Sequence, residues 1–230
     1  MLFHSVLGAG GRGGRGAPVP TYLGYCGDNA VSTSGSGNYT ESNADLGTPD
    51  SSRVIVVAIA GSNGHEAESV TVAGVSATLV AGPSSSGLNF GQIWAASVPT
   101  GTSGDIVVTA GSGDVSYGFV WYAIYPSGGI TPTATVDNDA SKSSTDINSY
   151  GGGVIICSIS TRADSSIDFP TWSGTSTIES PLRAIVSNSS ARYGFIFMMP
   201  VDSSDTNTPG TFSFSGISEG GNKAIASWEA

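Results

Sequence analysis

Few residues in this chain are of a type that does chemistry. The two histidines are His4, close to the start, and His65, in the turn-like stretch "SNGHEAES". A nucleophile needs a base within hydrogen-bond reach, and no G-x-S-x-G elbow is present to supply the serine. His65-Glu66 lacks the second histidine of an H-E-x-x-H zinc site, so His65 reads as an exposed loop residue. Cys26 and Cys157 are too far apart for a metal motif and too few for a disulfide scaffold; they form either one bridge or two unpaired thiols in or near strands. Asp137, Asp139, Asp164, Asp202 and Asp205 sit in turn-like sequence, where the carboxylate bonds its own backbone. A glycosidase pair is defined by distance in space, which spacing along the chain does not give. "DNDAS" from Asp137 and "DSSDTN" from Asp202 gather oxygens that suit a hard cation, but neither follows the EF-hand pattern. No catalytic, cofactor or metal site is assigned, and the chain reads as non-enzymatic.

The stretch "GAGGRGGRGAPVP", Gly8 to Pro20, asks for its own account. Gly8-Ala9-Gly10-Gly11-Arg12-Gly13 satisfies G-x-G-x-x-G formally. A dinucleotide site needs a strand before that motif and a helix after it, and Pro18 follows too soon. An RGG-type grip on single-stranded nucleic acid is weak with only two arginines. The reading preferred here is an extended docking arm, residues 1–20. Glycine lets the backbone approach a partner closely, Arg12 and Arg15 can pair with carboxylates or carbonyls there, and Phe3, Leu7 and Val19 supply apolar anchors. A tail without a role is the plain alternative.

The body that follows is acidic. The formal charge of the whole chain is −10, and both arm arginines precede every acid, so residues 21–230 hold six bases against eighteen acids. Such a surface repels nucleic acid and anionic membranes. Leu2–Leu7 is too short for a secretory apolar region, and runs such as Val54–Ala60 are too short to span a bilayer. Charged residues make up 11% of the chain and apolar ones 39%, which suits short strands, many turns and a surface kept wet by hydroxyls.

The elements that must position these residues are strands. "RVIVVAIAG" (Arg53–Gly61) is a β-branched run that suits a strand buried on both faces. "TFSFSG" alternates, with Phe212 and Phe214 inward and Thr211, Ser213 and Ser215 outward. Trp94, Trp121 and Trp228 fall in strands and are expected in the core, whereas Trp172 in "FPTWSG", near a turn, is the one open to exposure. Four phrases recur: "VIVVAI" at Val54 and "VIICSI" at Val154, "GQIWAA" at Gly91 and "GFIFMM" at Gly194, "GDIVVTAG" at Gly104 and "GTFSFSG" at Gly210, "GFVWYAI" at Gly118 and "KAIASW" near Lys223. The growing offset fits two copies of a four-strand unit, about 46–126 and 150–230, with insertions in turns; chance matching of apolar strands is the alternative. The expected fold is all-β: a two-sheet, jelly-roll-like β-sandwich of two similar four-strand halves sharing one core, as a single domain over 21–230, behind the Gly-rich arm. Thr131–Tyr150 is expected to connect the halves and to carry an edge strand at Ala134–Val136.

"GVSATLV" (Gly74–Val80), "SVPTGTSGDIVVTAG" (Ser97–Gly111) and "LGTPDSSRVIVVAI" (Leu46–Ile59), behind a short Gly-rich start, resemble phrases in accessory virion proteins of tailed bacteriophages and gene transfer agents. The resemblance covers Leu46–Tyr125 and reaches the second half only through the repeat. It implies a non-enzymatic sandwich on the particle, as head decoration, head fibre or tail component, assembled in the bacterial host cytoplasm. The implied partners are other virion proteins of capsid or tail, and further copies of the chain in a symmetric homo-oligomer such as a trimer. A module that binds host-surface glycan is the rival, since bacterial adhesins share such phrasing.

Overall fold

Seven consecutive residues, Val54–Ala60, are all buried, none more than 1% exposed. A strand points alternate side chains to opposite faces, so this one needs cover on both. Fully burying a Val or Ile contributes roughly 1.5–3 kcal/mol. Leaving either face in water would forfeit several such contributions, and the architecture follows from that.

The computed structural model describes residues 21–26, 38–62, 66–82, 89–110, 116–139, 144–162, 171–173, 183–187, 192–201, 209–213 and 218–230. Every regular element among them is a β-strand, and every pairing is antiparallel. In chain order the first strands are β1 (Thr21–Cys26), β2 (Asn38–Asp45), β3 (Val54–Ser62), β4 (Ala67–Val72), β5 (Val75–Ser76), β6 (Thr78–Ala81), β7 (Asn89–Ser97), β8 (Ser103–Ala110) and β9 (Ser116–Ile124). They are followed by β10 (Ala134–Asp139), β11 (Ser144–Asn148), β12 (Val154–Arg162), β13 (Thr171–Trp172), β14 (Arg183–Ser187), β15 (Arg192–Pro200), β16 (Pro209–Ser213) and β17 (Ser218–Trp228).

Four sheets result. The first large sheet has the order β1-β9-β3-β7-β6 and the first small sheet β2-β8-β4-β5. The second large sheet has the order β10-β17-β12-β15-β14 and the second small sheet β11-β16-β13. Registers correspond as well as orders. Val54 pairs with Ser97 and Ile124, as Val154 pairs with Pro200 and Trp228. Ala44 stands opposite Gly104 in one small sheet, and Ile147 opposite Gly210 in the other.

Three apolar layers join these sheets. Ile55, Val57 and Ile59 meet Val70, Val72, Ile106 and Val108 between the first large and small sheets. Ile155, Cys157 and Ile159 meet Ile147 and Phe212 in the corresponding layer of the second pair. Between the two large sheets, Val54, Val56, Ala58 and Ala60 meet Val154, Ile156, Met198, Ala226 and Trp228. The stack is therefore small sheet, large sheet, large sheet, small sheet.

The all-β expectation holds, while the two sheets around one interior give way to four sheets and three layers. The physical reason lies in strands that look polar. β2 (NYTESNAD) and β11 (STDIN) show little apolar alternation, yet each belongs to a small sheet that covers the inner face of its large one. With that cover supplied, the outer faces of β3 and β12 are free to meet each other. The segment expected to connect halves contains the edge strand at Ala134 and also β11. The arm, residues 1–20, lies outside the described residues.

Candidate functional site

The docking candidates Phe3, Leu7, Arg12 and Arg15 lie outside the described residues, as do His4, His65, Asp164, Asp202 and Asp205. Several of the described carboxylates accept hydrogen bonds from backbone amides or hydroxyl groups. Asp137, exposed on β10, accepts a hydrogen bond from the Gly82 amide at 2.6 Å and so links the second large sheet to the end of β6. Asp105 accepts from the Asn43 amide at 3.0 Å, and Asp146 from the Thr211 hydroxyl at 2.6 Å. Asp50 accepts from both the amide and the hydroxyl of Ser52, and these bonds, the hydroxyl's first, hold its pKa below the ordinary carboxylate value. Among the described residues no group of three or more His, Cys, Asp or Glu side chains is placed to hold a metal ion.

The most built feature is a side chain that sequence reasoning treated only as the first letter of a strand. Arg53 is fully buried. Its Nε donates to the Val98 carbonyl at 2.7 Å, Nη1 to Leu46 and Gly47 at 2.9 and 3.0 Å, and Nη2 to Thr100 and Gly101, both at 2.8 Å. A guanidinium has five N–H donors, and here all five are used on carbonyls. Those carbonyls belong to two connections, β2 to β3 and β7 to β8. Neither connection is a ladder strand there, so the buried carbonyls of Leu46 and Val98 in particular would otherwise lack this partner. Desolvation lowers the Arg53 pKa, with Tyr125, Asp45 and Asp50 pulling it back up; a guanidinium so placed stays charged. The signal was a lone arginine between "LGTPDSS" and a β-branched run, with "VPTGTSG" as a second turn to be fastened.

Burial disposes of most of the aromatic platform that a glycan reader would want. Trp94, Trp121 and Trp228 are buried as expected from their strands. Trp121 and Trp228 also donate their indole N–H to the carbonyls of Asp45 and Ile130. Trp172, open to exposure by its place near a turn, is half-buried, with its ring 4.4 Å from that of Phe212. It lies so close to Gly210 that a β-carbon there would overlap the indole. A groove of about 180 Å³ opens between β10 and β11, lined by Ala134, Thr135, Val136, Asp146, Ile147 and Asn148. Small-molecule pockets usually run from ~300 Å³ upward, so this one suits at most a small group.

Cys157 is free and buried in the second pair's core, beside buried Lys223. Burial pushes the thiol pKa up and the lysine charge opposes this without overcoming it, so the thiolate that a nucleophile needs is disfavoured.

No protein-family model, curated protein or solved structure matches the chain. Among the described residues no helix is long and apolar enough to cross a membrane. Arg53, Asp105 and Asp137 tie together backbone segments distant in the chain.

Proposed function

We propose that this chain is a non-enzymatic structural component of a tailed-phage or phage-like particle, made of two jelly-roll sandwiches set back to back. The observation that carries the reading is the strand order. β1-β9-β3-β7-β6 over β2-β8-β4-β5, followed by β10-β17-β12-β15-β14 over the three-stranded β11-β16-β13, supports reading each pair of sheets as a jelly roll. Jelly rolls form viral capsid and lectin domains, and fold analogy alone chooses neither. The phage reading adds the phrases at Leu46–Ile59 and Ser97–Gly111 and the arginine-bearing arm. Described polar groups spent on internal fastening are what a load-bearing spacer requires.

In this reading residues 1 to about 20 dock into capsid or tail, with Phe3 and Leu7 as anchors and Arg12 and Arg15 pairing with acceptors there. A symmetric homo-oligomer, such as a trimer, multiplies weak arm contacts into firm attachment. Deleting residues 1–20 is expected to leave the melting transition in place and to remove the protein from purified particles. Normal incorporation of the truncated chain would reject the arm's role.

A further inference from the structure

We infer that the molecule is directional: it meets its larger partner with the end where the chain enters β1 and leaves β17, and turns its opposite end outward. This rests on the docking reading above. The arm joins the body at Thr21, which pairs with Ala123, next to the ends of β3 and β7 at Val54 and Ser97. β17 ends at Trp228, opposite Val154 and hence beside Pro200.

These two sheet ends are the same end of the molecule. The connection from β9 to β10 runs between them and is bonded to both. The Ser127 amide donates to the Glu229 carbonyl at 3.3 Å and the Thr133 amide to that of Ser227 at 2.8 Å. The Tyr125 hydroxyl donates to the Thr48 carbonyl at 3.3 Å. Across the central layer β3 and β12 lie at matching heights, since Ser158 bonds the Ile59 carbonyl and Asp137, two strands from Ser158, bonds Gly82. The other strand ends, Ser62, Asn89 and Ser116 with Arg162, Arg192 and Ser218, therefore share the far end. A nine-residue strand sets the two ends roughly 30 Å apart.

The arm-bearing end is preorganised. Arg53 ties together the connections at 46–47 and 98–101, and the Leu46 amide adds a bond to Thr102 at 2.9 Å. The 149–153 turn is closed by Gly152 on Val201, Gly153 on Tyr150 and Val201 on Gly153. A surface already fixed in place loses little entropy when it docks. It exposes Asp45 and Glu229 while its Arg53 is consumed inside, so the partner it fits is a protein face rich in lysine or arginine.

Labelling of full-length protein tests this. In a Cys26→Ser background, with Cys157 buried, single cysteines are placed by Ser51→Cys and Ser127→Cys at the arm-bearing end and by Glu68→Cys near the other. Each is treated with a maleimide-polyethylene glycol reagent, free and in purified particles. Loss of labelling at Ser51→Cys and Ser127→Cys on incorporation, with Glu68→Cys still labelled, is the expected result. Uniform labelling, or shielding of Glu68→Cys alone, would overturn the orientation and leave docking intact. Absence of the wild-type chain from particles would overturn the docking reading and this inference together.

Discussion

Ser158 donates its hydroxyl to the Ile59 carbonyl at 2.5 Å, joining the middle strands of the two large sheets inside the central apolar layer. Ala58, Ala60 and Ala226 line the same layer, so the sheets meet on small side chains there. Ser158→Ala removes one hydrogen bond and is expected to cost about 0.5–1.5 kcal/mol. Ser158→Leu forces a large side chain between two packed sheets and is expected to cost more, roughly 1–3 kcal/mol. Urea unfolding followed by tryptophan fluorescence and far-ultraviolet dichroism measures both. The shared layer also predicts coincident transitions for the two probes; separated ones would mean that the two large sheets unfold independently.

Arg53 makes a sharper prediction, because lysine keeps the charge and loses the fork. Lysine has three donors on one nitrogen and cannot span carbonyls spread from Leu46 to Gly101. At least two of the five carbonyls lose their partner, at about 1–3 kcal/mol for each buried orphan. Arg53→Lys is therefore expected to lower stability by roughly 2–6 kcal/mol, read from the urea midpoint. A loss within 0.5 kcal/mol, the usual scatter of a surface change, would mean that water replaces the clamp.

How much of this was legible in the sequence depends on the residue. Val54–Ala60 announced a strand buried on both faces, and it is one. That same fact implied a third layer, because a strand in a two-sheet sandwich has only one covered face. The layer went unread because β2 and β11 hide their role: Ala44 and Ile147 are their buried contacts amid Asn, Thr, Ser, Glu and Asp. Trp172, whose turn-like neighbours leave it open to exposure, is half-buried, and Gly210, far along the chain, makes room for its ring. Arg53 could not be placed from local pattern, since its acceptors lie up to 48 residues away.

Acid should loosen one corner of the Arg53 end. Asp50 is held below the ordinary value of 3.8, first by the Ser52 hydroxyl and next by the Ser52 amide. A depressed folded-state pKa contributes stability above the unfolded value, and the contribution disappears as pH falls through the folded one. Below pH 3.8 the wild type should therefore lose stability that Asp50→Asn never had. Melting temperatures of the two proteins should converge in acid and separate toward neutral pH. A constant difference across that range would show that Asp50 acts through shape alone.

The turn between β4 and β5 offers a gain of stability. Ala73 and Gly74 have φ of 49° and 79°, and Val72 pairs with Val75, which makes a two-residue hairpin with both central residues left-handed. Gly74 accepts that conformation freely, whereas an alanine there sets its β-carbon against the following carbonyl, at about 1–2 kcal/mol. Asparagine tolerates the left-handed region and is the favoured first residue of such turns. Ala73 is exposed overall with its β-carbon beside Gly104, and its amide bonds the Asp105 carbonyl at 2.8 Å, a contact that asparagine keeps. Ala73→Asn is therefore expected to raise stability by about 0.5–1 kcal/mol, roughly 1–4 °C in melting temperature for a chain of this size. Ala73→Val, β-branched at positive φ, should move it the other way. If both variants melt with the wild type, the hairpin does not hold this geometry in solution, and the first small sheet ends at β4.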